Sequence, residues 1–248
     1  MSIEKKYLIE IATTDYESTK AAVAGGADRI ELCTALSEGG LTPSMAYIQR
    51  CRADFDVALF PIIRPRSGDF LYSHADFEIM KEDALFCKAV GCDGVVIGFL
   101  NEDGRIDVKR TLEIVEAVYP LEVTFHRAFD RCRDPFEALE AIIGAGCQRI
   151  LTSGLQQTAV QGIDLIQQLV AKAANRIVIM PGSGVRAANI KLLADKTGAV
   201  EFHSSAKTIK KSNMQYVQPY FAESAESYTH PTILTEDVSA LRRALLAS

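Results

Sequence analysis

Eight short apolar runs, each followed by a segment of helical periodicity, are the feature that most constrains the fold of this chain. The runs are rich in Val, Ile and Leu and mostly lack apolar–polar alternation, so they predict strands that are buried on both faces. Strict alternation of strand and helix predicts a parallel sheet with right-handed crossovers. The predicted strands are Tyr7–Ile11, Arg29–Leu32, Ala58–Ile63, Gly94–Ile97, Leu121–Phe125, Arg149–Leu151, Ile177–Met180 and Val200–Phe202.

A short repeat distinguishes a closed barrel from an open sheet. A helix-ending Gly and a small residue stand shortly before the second, fourth, sixth and eighth predicted strands, whereas the switch point of an open doubly wound sheet would break such regularity. The length of 248 residues is also ordinary for one barrel domain. We therefore predict an α/β fold in one domain, residues 1–248: a single (βα)8 TIM-like barrel with a parallel eight-stranded core. The copies of the repeat begin at Gly26, Gly91, Gly146 and Gly198.

Helix start signals and a long final connection complete the predicted organisation. Thr14 and Asp134 each stand three residues before a Glu, the spacing of a capping box. Residues 204–234 predict a long irregular loop after strand 8, which is typical of a lid or an interface element. Aromatic residues favour the interface, and hence a homodimer, and a last helix is expected from Thr235 to about Ala247. The aromatic residues of the loop are Tyr216, Tyr220, Phe221 and Tyr228.

Charge and composition exclude several classes of partner. The net charge is −5 and the basic residues are scattered, apart from a short cluster from Lys207 to Lys211, so nucleic acid is not an expected partner. The N-terminus has no apolar signal core, and no run approaches the roughly 18 apolar residues that a membrane span needs. We therefore expect a cytoplasmic protein. Its six cysteines include no CxxC motif and are expected to be reduced and mostly buried.

The fifth predicted strand is followed by three polar residues. His126 comes directly after Phe125, Arg127 is next, and Asp130 lies four residues beyond the imidazole. In a parallel barrel the carboxyl ends of all strands meet at one rim, where catalytic residues are placed. His126 is the predicted proton acceptor or metal ligand of this rim. Asp130 is predicted either to orient His126, with a direct catalytic role, or to pair with Arg127.

Charged residues also mark the first three predicted strands. Arg64 and Arg66 flank Pro65 after the third strand, and two guanidinium groups so held suit the capture of carboxylate or phosphate. Salt bridges within the rim are the alternative. Glu10 and Glu31 stand in apolar runs and need partners, for which either arginine or a bound cation would serve. If these two carboxylates lie close together, one has a raised pKa and can act as an acid.

Glycines and hydroxyl residues follow the last two predicted strands. Barrels of this class often bind phosphate on backbone N–H groups at this place. Together with the arginines, the two turns predict a small anionic ligand. The predicted anion-binding residues of the turns are Gly182, Ser183, Gly184 and Ser204.

Cys33 and Cys132 are the two thiols that the sequence places near the rim. Cu(I) prefers two or more thiolate or thioether ligands that lie close together. With His126, these thiols form the conceivable copper-binding set. Ordinary buried cysteines are the alternative.

Several of these residues lie in sequence blocks that resemble the signature of the CutC copper homeostasis proteins. The blocks extend over nearly the whole chain. The resemblance implies a TIM-like barrel, a cytoplasmic location, self-association and a link to copper tolerance or copper binding, without a firmly attached reaction. It also adds Ser153 to the candidate site, beside Arg127 as an anion ligand. The blocks are Gly25–Cys33, Gly39–Ser44, Ile63–Phe70, Thr124–Asp130, Ile150–Gly154 and Met180–Val185.

Two functions of different class follow from these observations. The first is a copper homeostasis protein that binds a copper ion at Cys33, Cys132 and His126. The second is an enzyme that acts on a small phosphorylated or carboxylated metabolite. In that enzyme the rim arginines and glycine turn would hold the anion, and His126, Glu31 and Asp130 would perform acid/base chemistry.

Overall fold

All eight predicted strands are present in the computed structural model, which describes residues 7–221 and 228–246. Each lies within two residues of its predicted bounds. The strands are β1 (Leu8–Thr13), β2 (Arg29–Leu32), β3 (Ala58–Pro61), β4 (Gly94–Ile97), β5 (Glu122–Phe125), β6 (Arg149–Thr152), β7 (Val178–Pro181) and β8 (Glu201–Ser204). The helices are α1 (Tyr16–Ala24), α2 (Met45–Asp54), α3 (His74–Ala89), α4 (Val108–Val118), α5 (Pro135–Gly144), α6 (Ile163–Ala173), α7 (Ile190–Thr197) and α8 (Thr235–Leu246).

The strands follow one another around a TIM-like barrel, as predicted. They form two parallel four-stranded sheets, in the orders β3-β2-β1-β8 and β4-β5-β6-β7. A parallel bridge between Ile62 and Val96 connects the end of β3 to β4. On the other side, Gly182 after β7 packs against His203 of β8, where a Cβ on Gly182 would lie 3.4 Å from the His203 Cβ. Every strand end therefore faces the same mouth.

Helix capping agrees with the sequence in one place and differs in another. Asp134 caps α5 as predicted, because its carboxylate accepts hydrogen bonds from two backbone N–H groups of the first turn. In α1 the cap is Asp15 and not Thr14, since the Asp15 side chain accepts the N–H of Ser18 at 2.8 Å. A carboxylate one residue further along the chain fits the same helix start and adds a favourable charge near the helix N-terminus.

Charged side chains fill the end of the barrel interior opposite the mouth, and we call this layer the floor. Arg29 binds Glu10 through its Nε and Glu201 through its Nη2 at 2.6 Å. Arg149 binds the same Glu201 at 3.1 Å. Both guanidinium groups stack on the Phe60 ring, at 5.0 and 5.2 Å from its centroid. The charges of the floor are thus paired and packed.

The apolar core lies between the strands and the surrounding helices. Ile9, Ile11 and Leu32 are fully buried there, with Phe125 and Phe202 among the largest buried side chains. The described residues include no helix that is both long enough and apolar enough to cross a bilayer.

The connection after β8 is not simply the irregular loop that the sequence predicts. Two strands, β9 (Lys207–Lys211) and β10 (Thr229–Ile233), pair in antiparallel register around it. Pro231 is accommodated opposite Ile209 in this two-stranded ribbon, where an edge position needs no N–H donor on one side. Of the predicted interface aromatics, Tyr216 and Tyr220 are exposed. The side chain of Phe221 and the end of the predicted last helix at Ala247 lie outside the described residues.

Candidate functional site

A cavity of about 680 Å³ opens at the mouth of the barrel. Its lining combines Glu31 from β2, Arg64 after β3, His126 after β5 and His203 from β8. Side chains far apart in the sequence therefore meet in one pocket, as the barrel topology predicts. The pocket is large enough for a small metabolite.

Glu10 lies beneath this pocket at the boundary with the floor. In the strand register Glu10 is opposite Arg29 of β2 on one side and His203 of β8 on the other. His203 donates from Nδ1 to Glu10 Oε1 at 2.7 Å, and Arg29 binds Oε2. Burial alone would raise the Glu10 pKa, but Arg29 and His203 together hold it well below its usual range. The predicted partners Arg64 and Arg66 are therefore not the ones that neutralise Glu10.

Glu31 differs from Glu10 although the two are neighbours. Its side chain is buried, and no described residue hydrogen-bonds its Oε2. Burial raises the pKa of Glu31 to about 7, and repulsion from Glu10 adds to this effect while His203 opposes it. The predicted raised pKa of one member of the carboxylate pair is thus present. Glu31 can hold or release a proton near neutral pH.

His203 connects the two carboxylates. Donor atoms of Glu10, Glu31 and His203 lie within 4.8 Å of one another, and within the described chain this is the one group of three metal-type ligands so placed. Burial acts to lower the His203 pKa, but attraction to Glu31 and Glu10 outweighs it, so the pKa is raised. Because both Glu10 oxygens are already engaged by Arg29 and His203, the group fits a proton-sharing cluster better than a cation site.

His126 is positioned differently from the proton acceptor that the sequence predicts. Its Nδ1 accepts the N–H of Ala128 at 3.1 Å, and no described residue hydrogen-bonds the buried Nε2. Burial, followed by repulsion from Arg64, lowers the pKa of His126 to about 3. The imidazole is therefore neutral near pH 7 and presents Nε2–H as a donor, so it is a poor general base there.

Two contacts fix the His126 ring at the mouth. Gly98 is required beneath it, since a Cβ at that position would lie 2.3 Å from the His126 Cε1 atom. The Phe70 ring lies against the imidazole with a centroid separation of 5.0 Å. Asp130 makes no hydrogen bond to His126; the predicted orienting role belongs instead to the Ala128 N–H.

Arg64 is a buried cation held by carbonyl oxygens. Its Nη1 donates to Glu38 O at 2.7 Å and to Gly40 O at 3.0 Å, and its Nη2 donates to Gly68 O at 3.0 Å. Its guanidinium also stacks over the Phe70 ring at 5.0 Å. No carboxylate among the described residues lies within salt-bridge distance of Arg64, so its positive charge acts on the cavity.

Arg66 does not line the pocket, and its predicted role in anion binding stays a prediction. The guanidinium turns back onto its own loop, where Nη2 donates to Asp69 Oδ1 at 2.9 Å and to Leu71 O at 2.6 Å. It stacks on Tyr72 at 4.9 Å. Nearby acceptors within the loop therefore satisfy this cation, whereas Arg64 two residues earlier faces the cavity.

Asp130 holds the loop after β5 to the loop after β6. Its carboxylate accepts from Arg127 Nε at 2.7 Å, Thr152 Oγ1 at 2.5 Å, the Ser153 N–H and the Leu155 N–H. Ser153 also donates from Oγ to Asp130, and its hydroxyl accepts from Arg127 Nη2 at 2.9 Å. Asp130 is therefore saturated and positions Arg127, which lines the cavity. The pair between Asp130 and Arg127 that the sequence offers as one alternative is present, and neither Asp130 nor Ser153 lines the cavity.

The turn after β7 contributes to the pocket as predicted, although unequally. Ser183 and Gly184 line the cavity. Gly182 is buried beneath them, where any Cβ would meet Leu151 at 2.4 Å. Ser204 is buried and its hydroxyl donates to Val185 O at 2.8 Å, so it supports the turn.

Sequence reasoning missed three cations of the pocket, Arg131, Arg186 and Lys207, all of which line the cavity. Arg131 lies five residues beyond His126 in the loop after β5. Arg186 follows the glycine turn that the sequence does single out, and Lys207 follows β8 by three residues. Their positions after the last two strands are the signal that could have found them.

The cysteines do not form a soft-metal site at the mouth. Cys33 packs among Ala12, Phe60 and other apolar side chains in a cluster separate from the main core, to which Cys132 belongs. Burial raises the Cys33 pKa well above its usual value and that of Cys132 to about 12. The structure therefore does not bring Cys33, Cys132 and His126 together as a copper-binding set, and these residues do not fit Cu(I).

The comparisons with known proteins agree on one family. The CutC family model matches residues 7–208. The human copper homeostasis protein cutC homolog is 43% identical over 95% of this chain and 87% of its own length. A CutC family protein of Parabacteroides distasonis is 51% identical over 85% of this chain and 87% of its own. A crystal structure of a copper homeostasis protein CutC from Streptococcus agalactiae superposes with a TM-score of 0.77 at 30% identity, covering 80% of this chain and 98% of that one.

Proposed function

The chain belongs to the CutC family, and we propose that it serves copper homeostasis through a mouth pocket that binds a small anionic ligand and exchanges a proton with it. One observation carries the proposal. Three buried polar atoms, Glu31 Oε2, His126 Nε2 and Arg64 Nε, lack partners among the described residues while their side chains line a pocket rich in cations. Buried polar groups without partners are costly, and a ligand that supplies the missing hydrogen bonds would relieve that cost.

The pocket residues divide the chemical work. His126 donates from Nε2 to an oxygen of the ligand, in the manner of a neutral imidazole electrophile. Glu31 gives a proton to the ligand, or takes one from it, through Oε2. Burial raises the pKa of Glu31, and His203 and Glu10 behind it act on that pKa in opposite directions. Asp130 holds Arg127 at the cavity wall.

Proton exchange gives a direct test. The protein is incubated in deuterium oxide with a panel of small phosphorylated and carboxylated hydroxy and oxo compounds, and deuterium incorporation at carbon is followed by proton NMR, since O–H protons exchange with the solvent unaided. We expect incorporation into at least one compound with the natural chain and its loss in Glu31→Gln. Arg66→Ala is the control and should retain it, because Arg66 faces its own loop. Incorporation into no compound of the panel, or unchanged incorporation in Glu31→Gln, would contradict the proposal.

The copper role, on this proposal, does not pass through the mouth thiols. Cys33 donates to Thr13 O at 3.5 Å inside an apolar cluster and has no second thiol beside it in that cluster. Titration with Cu(I) in competition with a chelator should give the same affinity for the natural chain and for Cys33→Ser/Cys132→Ser. A loss of tenfold or more in the double variant would show that the thiols are ligands after all.

We further propose a cytoplasmic homodimer. The support for the homodimer is the exposed aromatic surface near the β9–β10 ribbon, where Tyr220 is 92% and Tyr216 is 65% exposed. Aromatic side chains so exposed are enriched at interfaces. Sedimentation velocity should show a dimer that Tyr216→Ser/Tyr220→Ser converts to monomer; a monomeric natural chain would contradict this assembly.

A further inference from the structure

We propose that the anion bound at the mouth is a phosphate monoester, with its phosphoryl group seated between the turn after β7 and the end of β8. This inference rests on the proposed anion-binding function and names its substrate class. The phosphoryl subsite comprises the backbone of Ser183 and Gly184, the Ser205 hydroxyl, and the side chains of Arg186 and Lys207. All five residues line the mouth cavity.

Unpaired positive charge is the first observation for this subsite. Arg186 donates to the Ser204 hydroxyl at 3.2 Å and to the Ser205 hydroxyl at 3.4 Å, and no carboxylate of the described chain lies within 4.0 Å of its nitrogens. Lys207 likewise has no acidic partner within that distance among the described residues. Arg127, by contrast, is paired with Asp130 at 2.7 Å. Two cations without acidic partners at one end of the pocket suit a group of two negative charges.

The charge count distinguishes phosphate from carboxylate. A phosphate monoester carries about −1.5 to −2 near pH 7 and offers three acceptor oxygens, whereas a carboxylate carries one charge on two oxygens. Arg186 and Lys207 together would neutralise the phosphate. A carboxylate at the same place would leave one cation without a partner.

Backbone geometry is the second observation. Ser183 and Gly184 have φ of +74° and +75°, a conformation that turns the chain sharply after β7. The carbonyl oxygens of the turn already have partners: Ala159 N–H donates to Ser183 O at 3.0 Å, and Asn189 Nδ2 donates to Gly184 O at 2.9 Å. The N–H groups of Ser183 and Gly184 donate to no acceptor in the part of the chain that is described. They are therefore left to meet acceptor oxygens of a ligand.

The subsite is placed correctly for the reacting end of a ligand. Gly182 brings this turn against His203, the group behind Glu31. A ligand held by its phosphoryl group at Arg186 and Lys207 would extend across the same cavity toward Glu31 and His126. Binding energy from the non-reacting phosphoryl group would then position the atoms that exchange a proton.

Isothermal titration calorimetry with matched probes tests the inference. The probes are methyl phosphate and acetate, at an ionic strength of about 0.15 M to limit nonspecific attraction. We expect methyl phosphate to bind about tenfold or more tightly than acetate, and Arg186→Gln and Lys207→Gln each to weaken it by about tenfold, the effect of losing a charge-assisted hydrogen bond. Lys210→Gln on the same ribbon is the matched control and should stay within about twofold, because Lys210 does not line the cavity.

The outcomes separate the two proposals. Acetate binding equal to or tighter than methyl phosphate binding would overturn the phosphate inference while leaving an anion pocket in place. Unchanged methyl phosphate affinity in both Arg186→Gln and Lys207→Gln would overturn the subsite. If neither probe nor any compound of the deuterium panel binds, both the phosphate inference and the proposed function fail. Circular dichroism melts of each variant establish that a lost signal reflects the site and not the fold.

Discussion

The floor and the mouth of this barrel use the same residue types in opposite ways. At the floor, Arg29 and Arg149 are bound by Glu10 and Glu201, and their planes stack on an aromatic ring. At the mouth, Arg186 has no acidic partner within 4.0 Å among the described residues. Paired charges hold the barrel together, whereas unpaired charges in a cavity are available to a ligand. The pairing state of a charge is thus a better guide to function than its burial.

The largest expected effect tests the floor. Arg29→Met leaves the Glu10 and Glu201 carboxylates buried with fewer partners, so the free energy of unfolding should fall by about 3–5 kcal/mol. Denaturation in guanidinium chloride measures this change. Arg176→Met is the matched control: it removes an exposed pair with Glu140, joined at 2.7 Å, and should cost less than about 1 kcal/mol. Equal losses in the two variants would contradict the structural role of the floor.

A smaller effect is expected in the pH dependence of the free energy of unfolding, through the unpaired carboxyl of Glu31. Its pKa is about 7 in the folded chain against an ordinary value of 4.5, so the folded state binds the extra proton between these values. The stabilisation from that proton is fully present below pH 4.5 and is lost as the pH rises through 7. The shift corresponds to about 3 kcal/mol.

Glu31→Gln isolates this contribution. Urea unfolding at a series of pH values should show that the natural chain loses stability relative to Glu31→Gln as the pH rises from about 4.5 to above 7. A flat difference between the two chains across this range would mean that Glu31 is not held protonated by its surroundings.

The smallest expected effect is on the free energy of unfolding of a variant at the mouth, compared with the variant at the floor. Arg186→Gln at the mouth should change the free energy of unfolding by less than about 1 kcal/mol, because hydroxyl and carbonyl groups, and no buried carboxylate, would lose their partner. Thermal and denaturant unfolding measure it beside Arg29→Met. A loss as large as that of Arg29→Met would show that Arg186 serves the fold and would remove the distinction between the two ends.

Most of the fold could be predicted because two of its signals are local in the sequence: the periodicity of apolar residues, and the residues that begin and end helices and strands. The apolar run Gly94–Ile97 reads as a buried strand in the sequence and is one in the structure. The β9–β10 ribbon was missed because Lys207–Lys211 is mostly charged and its partner strand contains Pro231, so neither resembles a core strand. Edge strands on the surface lack the apolar pattern that indicates a buried strand in the sequence.

The location of the candidate site could be predicted from the sequence, but the partners of its charged residues could not. Strand ends placed Glu31, Arg64 and His126 at one mouth. The partner of Glu10 could not be found this way, since the register that sets Arg29 and His203 on either side of it is a tertiary property. The environment of His126 was equally hidden, because its lowered pKa comes from burial and from a cation distant in the sequence.

The neighbouring carboxyls of Glu10 and Glu31 allow the most direct test of the contrast between paired and unpaired charge. Carbon-13 NMR titration of the side-chain carboxyls, with Glu10→Gln and Glu31→Gln to assign the signals, measures both. The account predicts that Glu31 titrates near pH 7 while Glu10 stays ionised to well below its usual pKa. Two carboxyls that both titrate near pH 4.5 would contradict it.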